Sequence, residues 1–453
     1  MSKRSTFGNI FGTIAVVGGS VVGLGNIWRF PYVAGENGGA AFILVYICMS
    51  LFISIPIMLT EMSIGRAGQS NAMGSFRRLS KTRAWQGVGL LGVITAFIIM
   101  SFYSVIAGWS IKFFAESVSD GFAGKSPNEI ESAFTAFISS GWKPISLALL
   151  FIVMSGAIIM GGVTKGIEKA NKILMPIMAI ILVGMVIKST TLSGWSEGTK
   201  FLLNPDFSKI TWSVALQALG QSFFSMSLGM GAMIIYGSYI KKKSNMFKIA
   251  GMVAISDVTI AVLSGLAIFP AVFTFGIEPA SGPQLVFITL PNVFAQMSGG
   301  YILSIVFFVL LFFAAITSSV SLIEVMVSFV HEEFRIKRVQ ATLIIMIALA
   351  LISSACVMSQ MPGSTIRVIG LDLIDFNDKL TSVFLMPVGA LFSMLFGGWV
   401  LSRKSLFNEL SSNGLFKHDT LIKITYFLVK YIIPAVILLL FITETIKFFI
   451  PAT

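Results

Sequence analysis

Three stretches of this sequence carry oxygen where an apolar chain has least use for it. GGSVVGLGN (18–26) and GQSFFSMSLGMGA (220–232) put glycine, serine, asparagine and glutamine in the middle of hydrophobic runs, and AITSSVS (315–321) sets three adjacent hydroxyls in another. Each glycine inside a helix costs about 1 kcal/mol relative to alanine, so such runs predict helices that break. A broken helix frees backbone amides, which can hold an anionic group, and bares carbonyl oxygens, which can hold a hard monovalent cation. A carboxylate, Asp257 in AISDVTIAVLSGLAIFP (254–270), lies in a further apolar run, where an ionisable residue is costly and usually functional. Other chemistry has little to stand on. His331 and His418 lie near no cysteine and in no HExxH spacing, and Cys48 and Cys356 read as small hydrophobes within apolar runs. No constellation of nucleophile, base and metal ligands supports an enzyme.

The elements that must position these residues are membrane spans. The chain has 453 residues, 55% hydrophobic and only 11% charged, with a mean hydropathy of +0.89, too little polar material to cover a soluble globule. Apolar runs of about 20 residues, enough to cross a hydrocarbon core, recur about eleven times: 8–34, 40–63, 86–115, 145–163, 170–189, 212–240, 248–276, 298–329, 338–358, 379–402 and 424–450. The expectation is a single all-α integral membrane domain spanning residues 1–453. The first run continues into WRFPY without a small-residue cleavage site and reads as a span, not a signal peptide. Lys and Arg concentrate in segments 66–83, 165–172, 239–248, 334–340 and 402–419, whereas alternate connections such as 116–132 are mixed or acidic. The positive-inside rule then puts the N-terminus in the cytoplasm and, with an odd number of spans, the C-terminus outside, in a multi-pass protein of the inner (plasma) membrane. The net charge of +12 reflects this bias and suits the bilayer's anionic headgroups, not nucleic acid.

The breaks fall in the first span of each of two consecutive five-span blocks, 8–189 and 212–402, with 424–450 as an additional span. An odd number of spans separates them, so the two blocks have opposite topology, the arrangement of inverted-repeat transporters whose sites lie between matched unwound helices. Glycine that merely lets helices pack closely is the plainer reading of one such run. Two matched runs with Ser, Asn and Gln beside them favour a site.

GLGNIWRFPYVAGENGGAAF (23–42), GQSFFSMSLGMGAMIIYGSY (220–239) and FFAAITSSVSLIE (312–324) closely resemble the neurotransmitter:sodium symporter family, in particular its short bacterial members with eleven spans. The resemblance implies a 5+5 inverted-repeat fold with unwound first and sixth spans, two sodium sites and symport by alternating access. The first sodium would take the Val21 carbonyl, Asn26, Ser225, a residue of the seventh span and the substrate carboxylate. The second would take the Gly19 and Val22 carbonyls with Ala314, Thr317 and Ser318. In the seventh span either Asp257 replaces the family's usual Asn or Ser256 does, with Asp257 a nearby charge. Animal members require chloride near the first sodium; a resident carboxylate implies that chloride is not required here, and it could also carry a proton on the return of the empty carrier.

Substrate class follows in part. Amine transporters of the family have an acidic residue where this chain has Gly23, so a substrate bringing its own carboxylate, an α-amino acid, is favoured. Tyr103 would donate to that carboxylate beside the Leu24 and Gly25 amides. Ser20, Val21, Ile99, Phe224, Ser227, Met230, Ser318 and Leu322 would surround the side chain, a mainly apolar lining that suits a large residue, leucine-like or aromatic. Arg29 is expected to pair with Asp378 or, in the other register of IDFNDKLTS (374–382), Asp375, above a Phe224 lid; Arg4 and Glu332 would pair on the cytoplasmic side. A sodium-dependent amino-acid sensor or channel of the same fold would share these ligands and differ only in lacking concentrative transport.

Overall fold

The computed structural model describes residues 5–276, 286–297, 299–416 and 418–449. Among them there is no strand; one isolated bridge joins Val368 and Leu371, and the rest is helix and connection. Nine helices are long and apolar enough to cross a bilayer: α3 (Ala40–Gly68), α4 (Arg83–Val118), α5 (Trp142–Met160), α6 (Val163–Ser189), α9 (Met246–Thr274), α10 (Gly300–Glu333), α11 (Arg338–Ser359), α12 (Leu373–Val400) and α13 (Asp419–Thr443). Before them α1 (Ile10–Val21) and α2 (Gly25–Glu36) form one bent pair, turned by 47°. The run expected as the sixth span is two short helices, α7 (Trp212–Ser225) and α8 (Ala232–Tyr239), each shorter than a bilayer crossing.

Both breaks fall where the glycine-rich runs predict them. The Asn9 side chain caps α1 by accepting from the Gly12 amide at 2.7 Å, and the helix stops at Val22, which is extended at φ −81° and ψ 97°. The backbone re-enters helix at Gly25 through a wide turn to Arg29. In the second break φ is positive at Ser227, Gly229 and Gly231. Gly229 has a second constraint: a Cβ there would lie 2.1 Å from the Met386 carbonyl of α12, so glycine alone allows that approach.

α4 is the most buried span, with 72% of its apolar window inside the protein, and α10 packs along it. α1 lies against α6, α9 and α10, and α8 against α3. α6 is the most exposed, with 22% of its window inside, and presents Ile173, Ile180, Val183 and Ile187 outward, as a lipid-facing helix does. Cys356 is buried as expected, but Cys48 is exposed on the outer face of α3. A latch at one end of α3 was not foreseen: Arg66, fully buried, pairs with Glu409 at 2.6 Å and donates to the Ser244 carbonyl at 2.9 Å.

Candidate functional site

The two breaks face each other across a small cavity lined by Ser20, Val21, Gly25, Ile99, Tyr103, Phe224, Ser225, Ser227, Met230, Ser318 and Leu322. Ten of these are residues expected around a substrate, and Ser225 is one expected at the first sodium. Leu24, also expected around the substrate, is fully buried with its amide beside the Tyr103 hydroxyl. Two hydroxyls on its wall, Ser20 and Tyr103, are buried without a hydrogen-bond partner. Leaving such a group unpaired costs about 1–3 kcal/mol, so both are positioned for a ligand's polar atoms. Gly23 lies against Ser318: a Cβ on it would be 1.9 Å from the Ser318 hydroxyl oxygen, which leaves no room for an acidic side chain.

Asp257 sits beside this cavity, 0% exposed, and gathers three neutral donors. The Asn26 amide donates to its Oδ1 at 2.7 Å and to its backbone carbonyl at 3.1 Å. The Ser225 and Tyr46 hydroxyls donate to the same carboxylate. Among the described residues no Lys, Arg or His pairs with it. Three neutral hydrogen bonds hold this buried carboxyl group, which together with Asn26 and Ser225 gathers several oxygens beside the cavity, the donor chemistry of a small cation. Ser256 is not among them. Its side chain points away and donates to the Met252 carbonyl of its own helix at 2.8 Å, because a residue next to Asp257 on α9 is turned about a quarter of the helix circumference from the site. Tyr46 was missed, although a tyrosine within an apolar span must find its hydroxyl a partner.

Of the oxygens expected around a second cation, those of Val22, Ala314 and Thr317 lie together. Thr317 Oγ1 is 3.2 Å from the Val22 carbonyl oxygen and 3.0 Å from that of Ala314, and Ser318 Oγ is 3.4 Å from the Ser20 carbonyl oxygen. Gly19 is one residue before Ser20 in the last turn of α1. Among the described residues no group of three His, Cys, Asp or Glu could hold a metal ion. The donor set is carbonyl and hydroxyl oxygen with one carboxylate, the chemistry of a hard monovalent ion and not of zinc or iron.

Above the cavity the Arg29 guanidinium lies 5.0 Å from the Phe224 ring centroid and donates to Gln221 Oε1 at 2.8 Å, while Gln221 donates to the Gly25 carbonyl at 2.8 Å. Arg29, Phe224 and Gln221 thus tie α7 to α2 over the site. Asp378 is half-buried and acts electrostatically on Arg29 without a direct ion pair, whereas Asp375 is exposed and faces Asp372, Lys379 and Asp378. Of the two registers, the structure brings Asp378 to Arg29. At the end of α10 Glu332 accepts from the Ser70 hydroxyl at 3.0 Å and the Asn71 amide at 2.8 Å. Arg4 lies outside the described residues. Two further carboxyl groups within the spans have partners: Glu61 accepts from the Gly229 amide at 3.1 Å within the second break, and Glu324 accepts from the Tyr239 hydroxyl at 2.6 Å and forms an ion pair with Arg338.

Comparison with known proteins gives a consistent result. The chain matches the model of the Sodium:neurotransmitter symporter family over residues 4–134 and 127–452. It is 35% identical over 430 residues, 95% of each chain, to the uncharacterized sodium-dependent transporter YhdH of Bacillus subtilis (strain 168). It is 36% identical, covering 98% of each chain, to an uncharacterized sodium-dependent transporter of Haemophilus influenzae. Among solved structures, the crystal structure of MhsT in complex with L-phenylalanine superposes with a TM-score of 0.90 at 39% identity, over 97% of this chain and 100% of that one.

Proposed function

Because the chain belongs to the sodium:neurotransmitter symporter family, and is a sodium-dependent membrane transporter rather than an enzyme, we propose that it couples sodium entry to uptake of a large hydrophobic or aromatic α-amino acid. The observation that carries this reading is the unpartnered, buried Tyr103 hydroxyl beside the Leu24 amide, in a cavity with Ile99, Phe224, Met230 and Leu322 on its walls and no acidic residue at Gly23. A carboxylate satisfies Tyr103 and the freed amides; an apolar side chain fills the remainder. MhsT, similar over its whole length, is described in complex with L-phenylalanine, which supports the aromatic end of this range.

Two sodium ions take part in this reading. One binds at Val21, Asn26, Ser225 and Asp257 with the substrate carboxylate; the other binds at the Gly19, Val22 and Ala314 carbonyls with Thr317 and Ser318. Residues 8–189 and 212–402 act as oppositely oriented repeats, with 424–450 an additional span, an N-terminus in the cytoplasm and a C-terminus outside. Alternating access moves one repeat against the other around the fixed site, with Arg29, Asp378 and Phe224 closing the outer side and Glu332 taking part in the inner closure.

The test is uptake into proteoliposomes driven by an inward sodium gradient, with potassium as the control and each common amino acid as competitor. Accumulation above the external concentration, blocked best by phenylalanine, tyrosine, tryptophan or leucine, is the expected outcome. Binding without accumulation would instead identify a sensor. Because the substrate carboxylate completes the first sodium site, each ligand should tighten the other's binding by the same factor. Substrate titrations at several sodium concentrations and sodium titrations at several substrate concentrations must return one coupling factor, and a sodium-independent substrate affinity excludes the shared site. Met230→Phe should shift competition from aromatic toward smaller aliphatic amino acids, because a rigid ring replaces a deformable thioether in a wall of the cavity. An unchanged profile would remove Met230 from the side-chain pocket.

A further inference from the structure

One oxygen next to the second cation region remains unused. Along α6, Glu168, Asn171, Lys172 and Met175 recur at helical spacing and face α1, where Gly8, Gly12, Gly18 and Gly19 make room for them. Glu168 is satisfied: the Gly8 amide donates to it at 2.9 Å and Lys172 pairs with it at 2.6 Å. Asn171 is not. It is 1% exposed, its Nδ2 donates to the Ile167 carbonyl of its own helix at 3.0 Å, and its Oδ1 has no donor.

That oxygen is aimed at Gly19. A Cβ built on Gly19 would lie 1.8 Å from Asn171 Oδ1, so the close approach depends on glycine. Gly19 is also where the helical bonding of α1 gives out. The Gly23 amide, which a continuing helix would direct at the Gly19 carbonyl, donates to Asn26 Oδ1 at 3.3 Å. Asn171 therefore presents a neutral, strongly dipolar oxygen, without a hydrogen-bond donor, to the stretch of α1 whose carbonyls turn toward Thr317 and Ser318. An amide oxygen is the ligand type a monovalent cation accepts in place of water, and packing alone would be served as well by leucine.

We propose that Asn171 is a further residue of the second sodium site, its Oδ1 adding an oxygen from α6 to the set that α1 and α10 supply, and that it sets the sodium affinity of that site. This rests on the sodium reading of Thr317 and Ser318 given above. The experiment uses the purified full chain and sodium alone as probe: the rise in Tm is followed as sodium replaces potassium at constant ionic strength, for wild type, Asn171→Leu, Asn171→Asp and Thr317→Ala. Asn171→Leu, equal in size without the oxygen, should need about tenfold more sodium for the half-maximal rise, equivalent to about 1.4 kcal/mol. Asn171→Asp should restore wild-type affinity or better. A Leu variant that titrates like wild type while Thr317→Ala is shifted overturns the role of Asn171 and leaves the sodium site standing. If Thr317→Ala is not shifted either, the site itself has been misread. An Asp variant as weak as Leu means that packing and not the oxygen was responsible, which also overturns the proposal. If Asn171→Leu yields no folded protein, Asn171→Ala carries the same comparison.

Discussion

The sodium concentration that half-saturates substrate uptake should rise about a hundredfold in the Thr317→Ala, Ser318→Ala double variant, equivalent to about 2.7 kcal/mol of lost ion binding. The argument separates two roles for the same hydroxyls. Serine and threonine in a helix commonly bond back to a carbonyl three or four residues earlier, and Thr317 does so, 3.0 Å from the Ala314 oxygen. Had that been its whole role, alanine would cost little. But Thr317 Oγ1 also reaches the Val22 carbonyl of the broken span at 3.2 Å, and Ser318 Oγ reaches that of Ser20 at 3.4 Å. Hydroxyls and carbonyls are brought together across two helices at a point where one has stopped making its own hydrogen bonds. In this arrangement each hydroxyl can turn its proton away and offer a lone pair to a cation that the carbonyls also bind. Alanine keeps the helix and most of the volume and removes two of the five oxygens. Sodium dependence of uptake and of substrate binding should both move to higher concentration, with membrane insertion unchanged. Wild-type sodium dependence in the double variant would show that these hydroxyls serve only their own helix.

The span positions were legible because about 20 apolar residues are needed to cross a bilayer whatever the tertiary contacts. Their ends were less so, for a local reason. α12 begins at Leu373 and not near 379, because Asp372 accepts from the Ile374 and Asp375 amides and starts the helix in a polar segment that hydropathy discounts. The breaks were legible from glycine beside small polar residues. The cavity lining came through the family resemblance, and the structure brings ten of those residues, together with Ser225, around one cavity.

What the sequence could not decide depends on direction and distance. Ser256 and Asp257 are neighbours, and only the packing of α9 determines which one faces Asn26. Arg66 meets Glu409 across 343 positions, and Tyr46 meets Asp257 across 211, separations at which no local pattern connects two residues. Asn171 gave no signal at all, since one asparagine in KGIEKANK (165–172) looks like the polar end of a span. Its meaning lies in what its oxygen lacks.

The largest change in ion requirement should come from Asp257→Ser: inactive with gluconate as the only anion, and partly restored by chloride, while wild-type transport is indifferent to the anion. Two sodium ions and a zwitterionic substrate bring two net positive charges into a buried site. A carboxylate a few ångströms away is worth several kcal/mol to them at an effective dielectric near 20, and Asp257, buried and without a cationic side chain among the described residues, is placed to provide it. Removing it leaves the donors in place. Tyr46, Asn26 and Ser225 all point their hydrogens at the position the carboxylate held, and three convergent donors beside a cation are what a halide ion needs. Serine frees the space and adds a fourth donor, so chloride should enter where the side-chain oxygens were, with lower affinity because it is not covalently held. Uptake measured across a chloride titration should therefore saturate for the variant and stay flat for the wild type. A wild type that itself requires chloride, or a variant that transports equally well in gluconate, would mean that Asp257 holds the three donors in place and does not balance the charge of the cargo.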